Sequence, residues 1–95
     1  VSGFNEIIHQ PIRLRIVSAL ATLGPEERVD FTHLKTLLKL SDGNLGAHLL
    51  KLEEVGYLTQ EKTFVQRKPR TYLQLTAAGR TAFRAHVAEL KKILG

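Results

Sequence analysis

Between Leu45 and Leu75 the spacing of apolar residues changes period, and that change restricts the fold more than any other feature of the chain. Leu45, Leu49 and Leu52 recur at intervals of four and three, which places them on one face of a helix. Ser41 can satisfy the free amides at its start and Gly56 supplies a left-handed stop, so this helix should span about 41–55. Tyr57 to Val65 and Thr71 to Leu75 then read as strands, with Leu73 and Leu75 alternating inward. A basic loop of Gln66, Arg67, Lys68, Pro69 and Arg70 should join them into a hairpin over about 57–75.

The flanking segments read as helices. Ile8, Ile12, Ile16, Leu20 and Leu23 keep helical spacing up to Gly24-Pro25, with Pro11 opening the regular part of a first helix. Phe4 and Ile7 precede this stripe and need another surface. Val29-Asp30-Phe31 is expected to form a very short strand, and Thr32 to cap a second helix carrying Leu34, Leu37 and Leu38. Thr76 should cap a last helix over about 76–94, on which Phe83, Val87, Leu90 and Leu94 form a stripe. Its wider apolar arc also takes in Ala82, His86 and Ile93, more than contact with one hairpin requires. The expected fold class is α+β, a single domain over 1–95 built as a three-helix core, a hairpin and a long C-terminal helix.

Composition narrows the function. With 95 residues and 43% hydrophobic content the chain suits one compact core. It has no cysteine, so disulfides and thiolate metal sites are excluded. No apolar run approaches the roughly 20 residues of a membrane span, and the N-terminus lacks the order of a signal peptide. A soluble, cytoplasmic protein with no membrane partner is expected. Methionine is absent even at position 1, so Val1 is not expected to be the initiator. A formal charge of +5 favours a polyanionic partner. That charge is local: Lys62 to Arg70 holds four basic residues and no acid, whereas Glu26, Glu27 and Asp30 cluster elsewhere.

Catalysis finds no support. There is no phosphate-cradling glycine loop, no nucleophile with an evident base and no helix with paired metal ligands. His9, His33 and His86 stand singly, and no cofactor or metal is expected. No motif specifies an effector.

Helix, short strand, helix, turn, helix, hairpin and helix is the winged-helix order. Ser41-Asp42-Gly43-Asn44-Leu45, followed by His48-Leu49, Lys51-Leu52-Glu53 and Gly56-Tyr57-Leu58, resembles the third-helix signature of the ArsR and MarR regulator families. Leu75-Thr76-Ala77-Ala78-Gly79-Arg80 resembles their Leu-Thr-x-x-Gly segment after the wing. With His9-Gln10-Pro11-Ile12-Arg13-Leu14 near the start, the whole is most similar to small winged-helix regulators without a second domain. The chain departs from the pattern at Gly46, where serine is frequent, and at Leu50, where a basic residue is common.

The resemblance implies a homodimer on double-stranded DNA, with the helix over 41–55 in a major groove. Ser41, Asn44, Ala47, His48 and Lys51 are then the contacts on that helix, Asn44 suiting an adenine edge and Ala47 or Leu50 a thymine methyl. Lys62, Arg67, Lys68 and Arg70 on the wing suit phosphates or a minor groove. Phe4, Ile7, Ile8, Phe83, Val87, Leu90 and Leu94 are the implied dimer interface. Two readings stay open at several positions. Asn44 reads a base or only completes the helix start, and His48 packs at the core margin or contacts a base. Gly46 allows a close backbone approach or is merely tolerated. The wing grips DNA or is a solvated, edge-protecting hairpin. As a whole, the domain reads DNA sequence or docks a protein through Gly43, Gly46, Ala47 and Leu50.

Overall fold

The computed structural model describes residues 5–95. Phe4, expected at a dimer interface, lies outside the described residues.

The first helix is broken in two. Asn5 starts α1 (Glu6–His9) by accepting hydrogen bonds from the Ile7 and Ile8 amides at 2.9 and 3.1 Å. Gln10 then turns extended and caps α2 (Pro11–Ala21), its side-chain oxygen accepting from the Arg13 amide at 2.8 Å. Pro11 causes the break, because its ring disfavours helical geometry at the residue before it while its missing N–H is harmless at a helix start. Arg13 bridges the two pieces, Nε donating to the Ile7 carbonyl at 2.6 Å.

Val29 and Asp30 form β1, shorter by one residue than expected, and α3 follows at once (Phe31–Leu38). Asp30, not Thr32, is its cap: the carboxylate accepts from the His33 amide at 2.8 Å. The last strand residue already has the extended backbone a cap requires, whereas Thr32 lies inside the helix. Leu34 and Leu38 are buried, but Leu37, 100° round from Leu38, is 60% exposed. Lys39, in the left-handed region at φ 57°, closes α3, and the Arg15 guanidinium donates to the Leu38 carbonyl at 2.7 Å.

Ser41 caps α4 (Asp42–Glu54), its Oγ accepting from the Asn44 amide at 3.1 Å, and Gly56 leaves the helix at φ 83°. β2 (Leu58–Val65) and β3 (Lys68–Leu75) pair antiparallel, and β1 adds to the far edge of β3 in the order β1-β3-β2. Leu45, Leu49 and Leu52 join Ile16, Val17, Leu20, Leu34, Leu38, Leu58, Leu73 and Leu75 in one core.

Thr76 caps α5 (Ala77–Leu94) and binds it to the end of α4. Its Oγ1 donates to the Gly56 carbonyl at 2.6 Å and accepts from the Gly79 amide at 3.0 Å. Further along α5, His86 is buried rather than part of an open apolar arc. Its Nδ1 accepts from the Asn5 amide at 3.4 Å, and its ring meets His9 edge-on with centroids 5.3 Å apart.

Burial, and secondarily the charge on His9, lowers the His86 pKa below the ordinary histidine value. The folded protein therefore holds His86 neutral, while the unfolded chain takes up a proton near its usual pKa of about 6.5. The resulting stability is full above that pH and is lost as pH falls through the lower folded value. Urea midpoints should accordingly drop between pH 7.5 and pH 5.5, with a flatter profile in His86→Gln. Equal wild-type midpoints at the two pH values would contradict this coupling.

Candidate nucleic-acid interface

The face of α4 opposite its buried leucines carries Gly43, Asn44, Ala47, Leu50 and Lys51, all exposed. Asn44 gives its backbone amide to the Ser41 cap, so its side-chain amide takes no part in the capping. Ser41 uses an oxygen lone pair as a cap and keeps its O–H proton as a donor. Gly46 is half-buried, but a Cβ there would meet nothing within 4 Å, so the chain itself has no need of a glycine at that position.

His48 lies at the margin of this face, half-buried, with Nδ1 3.4 Å from the Arg13 guanidinium. Burial first and the Arg13 charge second lower its pKa, favouring the neutral ring. The structure thus sets His48 beside Arg13, an association that sequence spacing does not reveal.

The wing differs from the expected five-residue loop. Its turn is only Gln66-Arg67, between the paired residues Val65 and Lys68, so Lys68, Pro69 and Arg70 belong to β3. Both turn residues have positive φ, 52° and 67°, the signature of the turns that match strand twist in tight hairpins. Asn-Gly is the preferred pair there. Arginine at such a backbone position is strained, and it places a guanidinium at the tip.

Pro69 stands opposite Phe64, one pair beyond the closing Val65–Lys68 pair. In a two-residue hairpin the closing pair exchanges hydrogen bonds and the next does not, so the missing N–H of proline costs no bond to β2. Lys62 shares the inward face of β2 with Leu58, whereas Lys68 and Arg70 lie on the outward face of β3 with Tyr72. The cations therefore flank the hairpin on both faces as well as at its tip.

Their surroundings decide their electrostatic character. Among the described residues, Lys51, Lys62, Arg67, Lys68 and Arg70 are exposed and make no salt bridge, whereas Arg28, Lys35 and Lys92 are paired with Glu61, Asp42 and Glu89. Asp42, at the start of α4, is held by Lys35 at 2.8 Å. Glu61 is held by Arg28, whose guanidinium also lies 4.1 Å above the Tyr72 ring. Nearby acids are thus engaged away from the wing cations, which remain available to an external anion. An open cleft of about 620 Å³ separates the start of α3 from β3, with His33, Thr36, Lys68 and Arg70 along its walls.

Sequence reading missed the Arg28–Tyr72–Glu61 cluster, whose members are far apart in the chain. It also passed over Phe64 as an ordinary strand residue. The available signal was parity: Phe64 shares the face of Leu58, but lies beyond the part of the strand that the core covers.

A helix with an outward face clear of the core, beside an unneutralised basic hairpin, defines a winged helix-turn-helix of the DNA-binding class. Residues 12–94 match the winged helix DNA-binding domain model, and the chain belongs to that family. It is 34% identical over 88 residues to an uncharacterized protein of Methanocaldococcus jannaschii, covering 93% of this chain and 92% of that one. A transcriptional regulator homologue from Pyrococcus horikoshii OT3 superposes with a TM-score of 0.85 at 29% identity, over 95% of this chain and 86% of its own. The PcaV transcriptional regulator of Streptomyces coelicolor shares the fold, with a TM-score of 0.73 at 18% identity over 96% of this chain and 61% of its own. The winged-helix resemblance drawn from the sequence therefore holds.

Proposed function

We propose that the protein is a cytoplasmic, MarR-like transcriptional regulator that binds specific double-stranded DNA as a homodimer, in a single domain over 1–95. In this arrangement α4 lies in the major groove, and the wing reaches phosphates or the neighbouring minor groove. The observation that carries the proposal is the set of unpaired cations on the wing, beside a helix whose outward face is free of core contacts. Lys62, Arg67, Lys68 and Arg70 supply most of the affinity. Asn44 and Ala47 supply base discrimination, with Ser41, His48 and Lys51 at the margin of the contact.

Burial within the chain narrows the surface we propose for the dimer. Ile8 is wholly buried within its own chain and is unavailable to a partner, while Ile7 and Phe83 already pack against the core. The second half of α5 keeps apolar surface, with Val87 and Leu90 half-buried and Ile93 and Leu94 exposed by 66% and 84%. Joining two copies there is consistent with two α4 helices spaced about one DNA turn apart.

Titration against random duplex DNA tests the proposal. A dimer using ~6 phosphate contacts should give a log-log salt slope near −5. Sedimentation at micromolar concentration should show the dimer, and a monomer would remove that part. If binding proves insensitive to salt, exposed Leu37 and Leu50 favour a protein-docking role instead. Selection from a random duplex pool should yield paired half-sites. Asn44→Ala should shift the selected sequence, since a lost base contact changes preference by about 1–3 kcal/mol at one position. Equal weakening on every sequence would show that Asn44 reads no base.

A further inference from the structure

We propose that Phe64, with Pro69 opposite it, packs on the deoxyribose wall of a DNA minor groove and contributes affinity that salt does not screen. This rests on the DNA-binding function proposed above.

Phe64 is 72% exposed, and among the described residues it is the only exposed phenylalanine or tyrosine. Register explains its direction. Strand alternation puts it on the same face as Leu58, Gln60 and Lys62, and across the pair the same face carries Leu75, Leu73, Thr71 and Pro69. Leu58, Leu73 and Leu75 use that face to enter the core, whereas Phe64 and Pro69 lie where the hairpin has outrun it. The pair therefore overhangs on the side of the sheet where the helices lie.

The occupant follows from charge. From Lys62 to Arg70 the chain bears four cations and no acid, so an apolar surface that fits here must itself be bounded by anions. A second copy of this chain, at +5, would bring like charges together. Duplex DNA presents apolar sugar edges between phosphates. At about 3.3 Å per residue, the Phe64–Pro69 pair sits two steps, roughly 7 Å, behind the tip residues Gln66 and Arg67. A minor groove is about 7.5 Å deep and about 6 Å wide. With the hairpin tip directed into the groove, Phe64 lies at its rim, level with the sugars rather than between the bases.

Salt titrations of the wild type, Phe64→Ala, Phe64→Leu and the double variant Arg67→Ala with Lys68→Ala, all on one duplex, separate the contributions. Phe64→Ala should weaken binding about tenfold at every salt concentration with an unchanged log-log slope, as expected for lost apolar burial. Phe64→Leu should restore most of the loss, whereas the charge variant should flatten the slope. Thermal melts should show Phe64→Ala as folded as the wild type, because the ring is exposed. Wild-type affinity in Phe64→Ala, or a slope change like that of the charge variant, overturns the sugar contact while leaving DNA binding in place. A wild type without salt-sensitive duplex binding overturns the DNA-binding function and this contact together.

Discussion

Gly79→Ala should lower stability by about 3 kcal/mol, at the upper end of overpacking effects. For a domain of this size that corresponds to a melting point roughly 15 °C lower. A Cβ built on Gly79 falls 2.0 Å from the Tyr57 carbonyl oxygen and 2.9 Å from its carbon, and both are backbone atoms. Neither can move alone. The Thr76 amide donates to that same carbonyl at 3.0 Å, and Leu58 is paired with Leu75 next to it. Relief would require tilting α5 away, which would disturb the packing of Phe83 on the core. Gly46→Ala is the internal control: its Cβ meets nothing within 4 Å, so helix propensity should make it more stable by up to about 1 kcal/mol. Urea denaturation of the two variants should give shifts of opposite sign. A Gly79→Ala midpoint equal to wild type would show that the contact between α5 and Tyr57 is slack.

The second large effect is on binding. Removing Arg67 and Lys68 from both wings of a dimer deletes up to about four phosphate contacts and should flatten the salt slope from near −5 to near −2. Affinity near 0.1 M salt should fall by about a hundredfold or more, similarly on every duplex sequence. The uniformity follows from the geometry, because these cations lie on a hairpin with no ion pair of their own, ready to meet a backbone that all sequences share. A monomeric protein would show only half that change of slope. Loss confined to particular sequences would mean that Arg67 or Lys68 reads bases or groove width.

Local rules made much of the fold legible. Leu45, Leu49 and Leu52 share one helical face in any context, and Ser41, Gly56 and Thr76 act as caps through atoms a few residues away. The resemblance of the Ser41–Leu58 and Leu75–Arg80 segments to winged-helix regulators supplied the order of the parts. Pro11 opens the regular helix α2, as its missing N–H suits. Local rules failed at the α3 cap: Asp30 displaced Thr32 because pairing with Tyr72, remote in the chain, already held it extended.

The period change between Leu45 and Leu75 was determined by sequence alone, because side-chain direction in helices and strands depends only on residue spacing. Tertiary structure decided what each exposed or buried position was free to do. It turned Ile8 and His86 inward, left Leu37 and Phe64 in solvent and shortened the basic loop to two residues. It also set the charge state of the site by pairing Glu61 with Arg28 and Asp42 with Lys35 while leaving the wing cations unpaired. Those outcomes depend on distances between elements remote in the chain, and spacing along a sequence carries no such distances.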